Sequence, residues 1–170
     1  QPKEGETSYQ PVLAIFGVAF MLALAISWYV FETVFTVQAA EWFVSLSMAL
    51  LAIQKLQDLR SFSTMFLNYD LLARRWVRYG YIYPFGEALA GILMVAHVLP
   101  IISVPVALFI GTVGAVSVFK AVYVDKRELK CACVGGNSNV PLGFVSLTEN
   151  LFMIGMGLWM GAKALGFVAG

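Results

Sequence analysis

Residues 88–119, ALAGILMVAHVLPIISVPVALFIGTVGAVSVF, contain no Asp, Glu, Lys or Arg. The stretch is too long for a single helical crossing of a membrane, which takes roughly 20 mostly apolar residues. Pro100 and Pro105 interrupt it, and proline ends helices because it lacks an amide donor and clashes with the preceding turn. The stretch reads as a tight hairpin. One span runs from about Tyr79 to Leu99, with Pro84 near its start and Glu87 one turn further on; the next runs from about Val104 to Val124. On the N-terminal side lie two more apolar runs, Val12–Phe31 after Pro11, and Val34–Leu56, which is broken only by Gln38, Glu41 and Gln54 and closed by Lys55. A fifth runs from about Phe144 to Leu165. The expected fold is all-α: a polytopic transmembrane bundle of five spans.

Composition demands the same solvent. Of 170 residues, 60% are hydrophobic and 12% charged, against about 25% charged in soluble domains. A chain of this size has too little interior to hide so much apolar side chain from water, so the excess faces a lipid bilayer. A net charge of +1 gives phosphate no electrostatic hold and excludes a nucleic-acid binder. Two cysteines exclude a disulfide-framework protein.

The basic residues sort by side. Lys3, Lys55, Arg60, Arg74, Arg75, Arg78, Lys120, Lys126, Arg127 and Lys130 fall in segments that alternate crossing puts on one face, and Lys163 falls on the other. The positive-inside rule then makes the N-terminus and both long loops cytoplasmic. Within the first loop, Phe62, Met65, Phe66, Tyr69, Leu72 and Trp76 recur at helical spacing. They predict an amphipathic interfacial helix over 61–76 with arginines at the headgroups. Residues 1–10 are polar and read as a linker or the remnant of an upstream cytoplasmic domain.

The residues with the most chemistry are Cys131 and Cys133, in Lys130-Cys131-Ala132-Cys133-Val134-Gly135-Gly136. Paired cysteines in a cytoplasmic loop point to redox or metal chemistry, and neighbouring cations favour the reactive thiolate. Soft thiolates also select ions such as Cu(I) or Hg(II). Glu87 lies inside an apolar span, where an acid is costly unless paired, protonated or hydrated. It could instead complement its helix N-terminus. Glu149 fits a capping box with Ser146, and both acids fall at the depth of the cysteine loop. The expected catalytic set is Cys131, Cys133 and Glu87; the expected metal set is Cys131, Cys133, Glu149 and Glu87. His97 reads as interfacial near the opposite face, Glu32 and Glu41 as headgroup residues, and Met153, Met156 and Met160 as core filler. Gly155, Gly157 and Gly161 permit close helix packing.

Several of these stretches resemble MauE-type membrane proteins, which group with DoxX-like redox-associated proteins. The resemblance is carried by Lys55-Leu56-Gln57-Asp58-Leu59-Arg60-Ser61-Phe62 with Asn68-Tyr69-Asp70-Leu71-Leu72, by Pro84-Phe85-Gly86-Glu87 with Gly91, by Cys131-Ala132-Cys133-Val134-Gly135, and by Thr148-Glu149-Asn150. It implies a four-helix bundle over about 34–165, to which 11–31 adds an extra transmembrane helix, in a bacterial cytoplasmic membrane. It also implies a role in methylamine metabolism, with Cys131 and Cys133 as a redox pair. A partner thiolate would attack their disulfide, and the mixed disulfide would resolve through the other cysteine. Relatives that follow a heavy-metal-associated or glutaredoxin-like domain imply such a partner, fused upstream or separate. Two other functions fit the same residues: soft-metal transfer through the cysteines, and a membrane anchor for a cytoplasmic domain.

Overall fold

The computed structural model describes residues 9–127 and 143–166. Among them all regular structure is helical: α1 (Gln10–Phe31), α2 (Val37–Gln57), α3 (Leu59–Phe66), α4 (Leu71–Arg75), α5 (Arg78–Ala96), α6 (Pro100–Phe119) and α7 (Phe144–Ala164). A π-helical turn, Lys120–Val124, prolongs α6. Among the described residues, three helices are long and apolar enough to cross a membrane: Gln10–Phe31, Val37–Gln57 and Pro100–Val124. The five expected crossings are thus met in part, because α5 and α7 carry polar and charged residues that dilute their apolar character.

α2 packs against α5, and α6 against α7 and α5. α1 lies chiefly against α2, through a stripe of Val12, Ile15, Ala19, Ala23 and Ser27. Beyond Gln10 the rest of α1 is mostly exposed and apolar, which suits contact with lipid. Ser27 Oγ ties the turn after α1, 2.8 Å from both Thr33 O and Thr36 Oγ1. Thr36 in turn caps α2 by accepting from Ala39 N at 3.0 Å.

The hairpin forms at a different residue from the one expected. α6 starts at Pro100, with Pro105 inside the helix, not near Val104. Proline in the first turn costs nothing, since its missing N–H has no intrahelical partner there. The turn itself is made by His97 (φ 56°) and Leu99 (φ 48°).

The stretch 61–76, expected as one interfacial helix, forms two. Asp58 starts α3 by accepting from Ser61 N at 3.1 Å. Asp70 starts α4 by accepting from Leu72 N and Ala73 N at 3.0 and 2.9 Å. Phe62, Phe66, Tyr69 and Ala73 are buried, and Phe62 and Phe66 meet the ring of Tyr83 on α5 at 5.8 and 4.8 Å. The apolar face therefore closes the end of the bundle.

Two glycines set the helix spacing. A Cβ at Gly91 of α5 would stand 3.0–3.2 Å from Ala49 N, Ser45 O and Met48 Cβ of α2. One at Gly111 of α6 would meet Ile154, Asn150 O and Met153 of α7 at 3.0–3.2 Å. Of the glycines expected to serve packing, Gly157 and Gly161 face Leu108 and Val104 of α6, whereas Gly155 has open space around it.

Candidate functional site

Lys55 is the largest fully buried side chain among the described residues, only 1% exposed. It sits near the C-terminal end of α2, on the face that also buries Met48, Leu51 and Ala52. Its Nζ donates to Glu87 Oε2 at 2.6 Å and to Glu149 Oε1 at 2.7 Å. One ammonium thus joins α2, α5 and α7. The rings of Tyr83 and Phe62 complete the enclosure, with centroids 5.1 and 5.9 Å from Nζ, within cation–π range.

The sequence places Glu87 and Glu149 at one depth; the structure brings them to one atom. Glu87 does not serve its helix N-terminus, lying in the third turn of α5 with no exposure. Glu149 does not form the capping box: α7 begins at Phe144, so Ser146 and Glu149 lie inside the helix. Lys55, counted in the sequence as a cytoplasmic loop charge, is an interior residue. Both carboxylates expected as added metal ligands hold the ammonium of Lys55, while Glu87 Oε1 and Asn150 Oδ1 are buried without a hydrogen-bond partner. A cavity of about 10 Å³ adjoins Asn150, lined by Lys55, Tyr69, Tyr83, Ser146 and Glu149 among others. That is about the room one water needs.

Cys131 and Cys133 lie outside the described residues. The flanking residues, Arg127 and Gly143, belong to the end of the bundle that holds the Lys55 centre. Arg127 Nη1 bonds Asn68 O, between α3 and α4, at 2.7 Å, and Glu149 is about 8 Å along α7 from its first residue.

A second charged centre occupies the other end. Glu41 of α2, expected among the headgroups, is 3% exposed. Its Oε1 accepts from Trp159 Nε1 at 2.6 Å and Lys163 Nζ at 2.8 Å. Its Oε2 lies 2.6 Å from His97 Nε2. His97 is partly exposed at the end of α5, as an interfacial residue would be, and its left-handed backbone turns the ring toward α2. Trp42 bonds Val95 O at 3.1 Å and meets the His97 ring edge-on. Sequence reasoning missed Lys55, Glu41 and Lys163 as partners. The available signal was an acid near the start and a base near the end of both α2 and α7, at equal separation, so that antiparallel packing sets each acid against a base.

Comparison with curated proteins and with solved structures returns no match. The family model described as methylamine utilisation protein MauE matches residues 32–163. That range takes in α2 to α7 and both charged centres and leaves out α1. Matched over most of its length, this chain belongs to the MauE family of membrane proteins.

Proposed function

We propose that this protein crosses the membrane five times and exchanges disulfides through Cys131 and Cys133 at the cytoplasmic end of the bundle. The observation that carries the reading is the buried Lys55–Glu87–Glu149 centre, located where residues 128–142 join the bundle. Arg60, Arg74, Arg75, Arg78, Lys120, Lys126 and Arg127 gather in the segments at the same end, which supports a cytoplasmic orientation. α5 and α7, of 19 and 21 residues, are long enough to cross beside the other three.

In the exchange, a thiolate of a dithiol partner of glutaredoxin-like class attacks one sulfur of the Cys131–Cys133 disulfide. The intramolecular S–S bond breaks, a mixed disulfide forms, and the other cysteine leaves as a thiolate. The partner's second thiolate then attacks the mixed disulfide. The partner leaves oxidised, and Cys131 and Cys133 take up two electrons and two protons. The centre formally holds two carboxylates and one ammonium, so it becomes neutral by binding one proton. It is suited to keep a proton beside a departing thiolate, at a site where an unbalanced buried charge is costly.

The test is thiol trapping of the full chain in nanodiscs across a glutathione redox series. An intramolecular Cys131–Cys133 disulfide in equilibrium with the buffer is expected, with exchange slowed at least several-fold in Glu149→Gln. Cysteines that stay reduced at oxidising poise overturn the proposal.

A further inference from the structure

The Glu41 centre borders a cavity of about 360 Å³, within the size range of small-molecule sites. It lies between the α5–α6 hairpin, α2 and the end of α7. Leu93, Met94, Pro100 and Met160 give it apolar walls, and Gln38, His97, Ser103 and Lys163 bring polar groups to it. The polar groups are not evenly signed. Lys163 is the charged residue of this lining, and no carboxylate is among the lining residues. Glu41, which holds Lys163, is covered and already accepts from Trp159 and Lys163 through one oxygen, with His97 at the other. An ammonium has three N–H donors, and among the described residues Lys163 uses one, on Glu41.

We propose that this cavity binds a small amphiphile with a single negative charge on a short apolar tail. The charge sits at the Lys163 ammonium, within reach of the Gln38 amide and the His97 ring. The tail lies along Leu93, Met94 and Met160. A carboxylate is favoured over an amine cation for a plain electrostatic reason: a cation would meet Lys163 with no free carboxylate to offset it. The buried Glu41 serves as a positioning residue that holds Lys163 and His97 at the cavity wall. Two positive-φ residues, His97 and Leu99, keep the hairpin in the conformation that shapes it. Such conformations persist where the surrounding structure over-determines them.

His97 is the sole histidine of the chain, so its ring resonances report this cavity without ambiguity. In nanodiscs of phosphatidylcholine, hexanoate is expected to move the His97 ring signals saturably, and methylammonium at the same concentration is expected to leave them in place. Lys163→Met should weaken hexanoate binding about tenfold. Ala164→Phe, at an exposed position on the cavity rim, should do the same by filling the space while the Glu41 pairs stay intact. A further arm identifies the source of the anion. If phosphatidylglycerol in the disc reproduces the shift and blocks hexanoate, a lipid headgroup is the natural occupant; if it does neither, a free carboxylate is. Absence of a saturable hexanoate shift, an equal response to methylammonium, or unchanged affinity in both variants overturns the proposal.

Discussion

Glu41 and Lys55 stand about four helical turns apart on the buried face of α2, and each is held by a residue of α7 with the opposite charge. Glu41 meets Lys163 at 2.8 Å and Lys55 meets Glu149 at 2.7 Å. Glu149 and Lys163 are likewise about four turns apart on α7, so the two antiparallel helices are pinned at points roughly 21 Å apart along their length. A slip of one turn would break both pairs and leave four charges unmatched in an apolar interior. α5 is held by the same residues, through Glu87 at its middle and His97 at its C-terminal end.

Replacing the central cation tests how the first centre is balanced. Lys55→Met keeps the apolar stem and leaves Glu87 and Glu149 facing each other without a counter-ion. Breaking a buried pair by removing one partner costs about 3–5 kcal/mol. A drop of that order is expected in the unfolding free energy measured by SDS titration in mixed micelles. Adding Glu87→Gln and Glu149→Gln should recover much of the loss, since replacing all members of a buried ionic group is far milder than orphaning one.

The second centre has its own reporter. Glu41→Gln removes the charge that Trp159, Lys163 and His97 share, while keeping the volume. Hydrogen bonds to charged groups contribute about 1.5–3 kcal/mol, and a loss of about 2 kcal/mol is expected. Trp159 emission should shift at the same time, because its indole N–H loses a carboxylate acceptor. An unchanged Trp159 signal would mean that the indole does not donate to Glu41.

The apolar runs make the long helices legible from residue order, since hydropathy and length decide them without tertiary contacts. Their ends follow within a few residues, with the largest offset at the α5–α6 turn, where Pro105 stays inside α6. Partners are harder to see. Lys55 looks like a loop cation because it follows an apolar run, and only the closure of α3 and Tyr83 over it shows that it is interior. Ser146 and Glu149 have capping-box spacing, but the helix begins earlier at Phe144, so the same spacing serves an interhelical pair. The alternation of Phe62, Phe66 and Tyr69 gives a helical face without saying whether lipid or protein covers it. The break before Asp70 is visible once the side chain is recognised as a cap for Leu72 and Ala73. The cost of burying an acid marks Glu87 as a residue to be paired, protonated or hydrated, and Lys55 pairs it.

The close approach at Gly91 gives a packing test that leaves every charge in place. The Cβ of Gly91→Ala would press on backbone atoms of Ala49 and Ser45, which cannot turn aside as a side chain would. α5 must then move from α2 by a few tenths of an ångström. Overpacking of this kind costs typically 1–3 kcal/mol. A lower thermal midpoint is expected for Gly91→Ala, with little change for Gly155→Ala, where nothing lies within 4 Å of the added carbon.

Asp70, outside the spanning helices, supplies a pH dependence whose sign follows from its surroundings. Its Oδ1 caps α4, but Oδ2 is buried with no hydrogen-bond partner. Burial raises its pKa from the ordinary 3.8 to about 6, against the opposing effect of the Ala73 and Leu72 amides. Below about pH 4 the carboxyl is protonated in both the folded and unfolded chain, and its contribution to stability is fully present. Between about pH 4 and 6 the unfolded chain has released a proton that the folded chain still holds, so stability falls as pH rises. Above pH 6 both forms are ionised and the slope ends. The difference across the window is on the order of 3 kcal/mol. In Asp70→Asn the amide oxygen keeps the cap and nothing titrates. The offset at any single pH includes the cost of burying the new NH₂ group, whereas the slope does not. Unfolding free energies of the two proteins, measured at intervals from pH 4 to 7, should therefore converge or diverge steadily up to about pH 6 and run parallel beyond it. A wild-type slope that persists unchanged in Asp70→Asn would place its origin elsewhere in the chain.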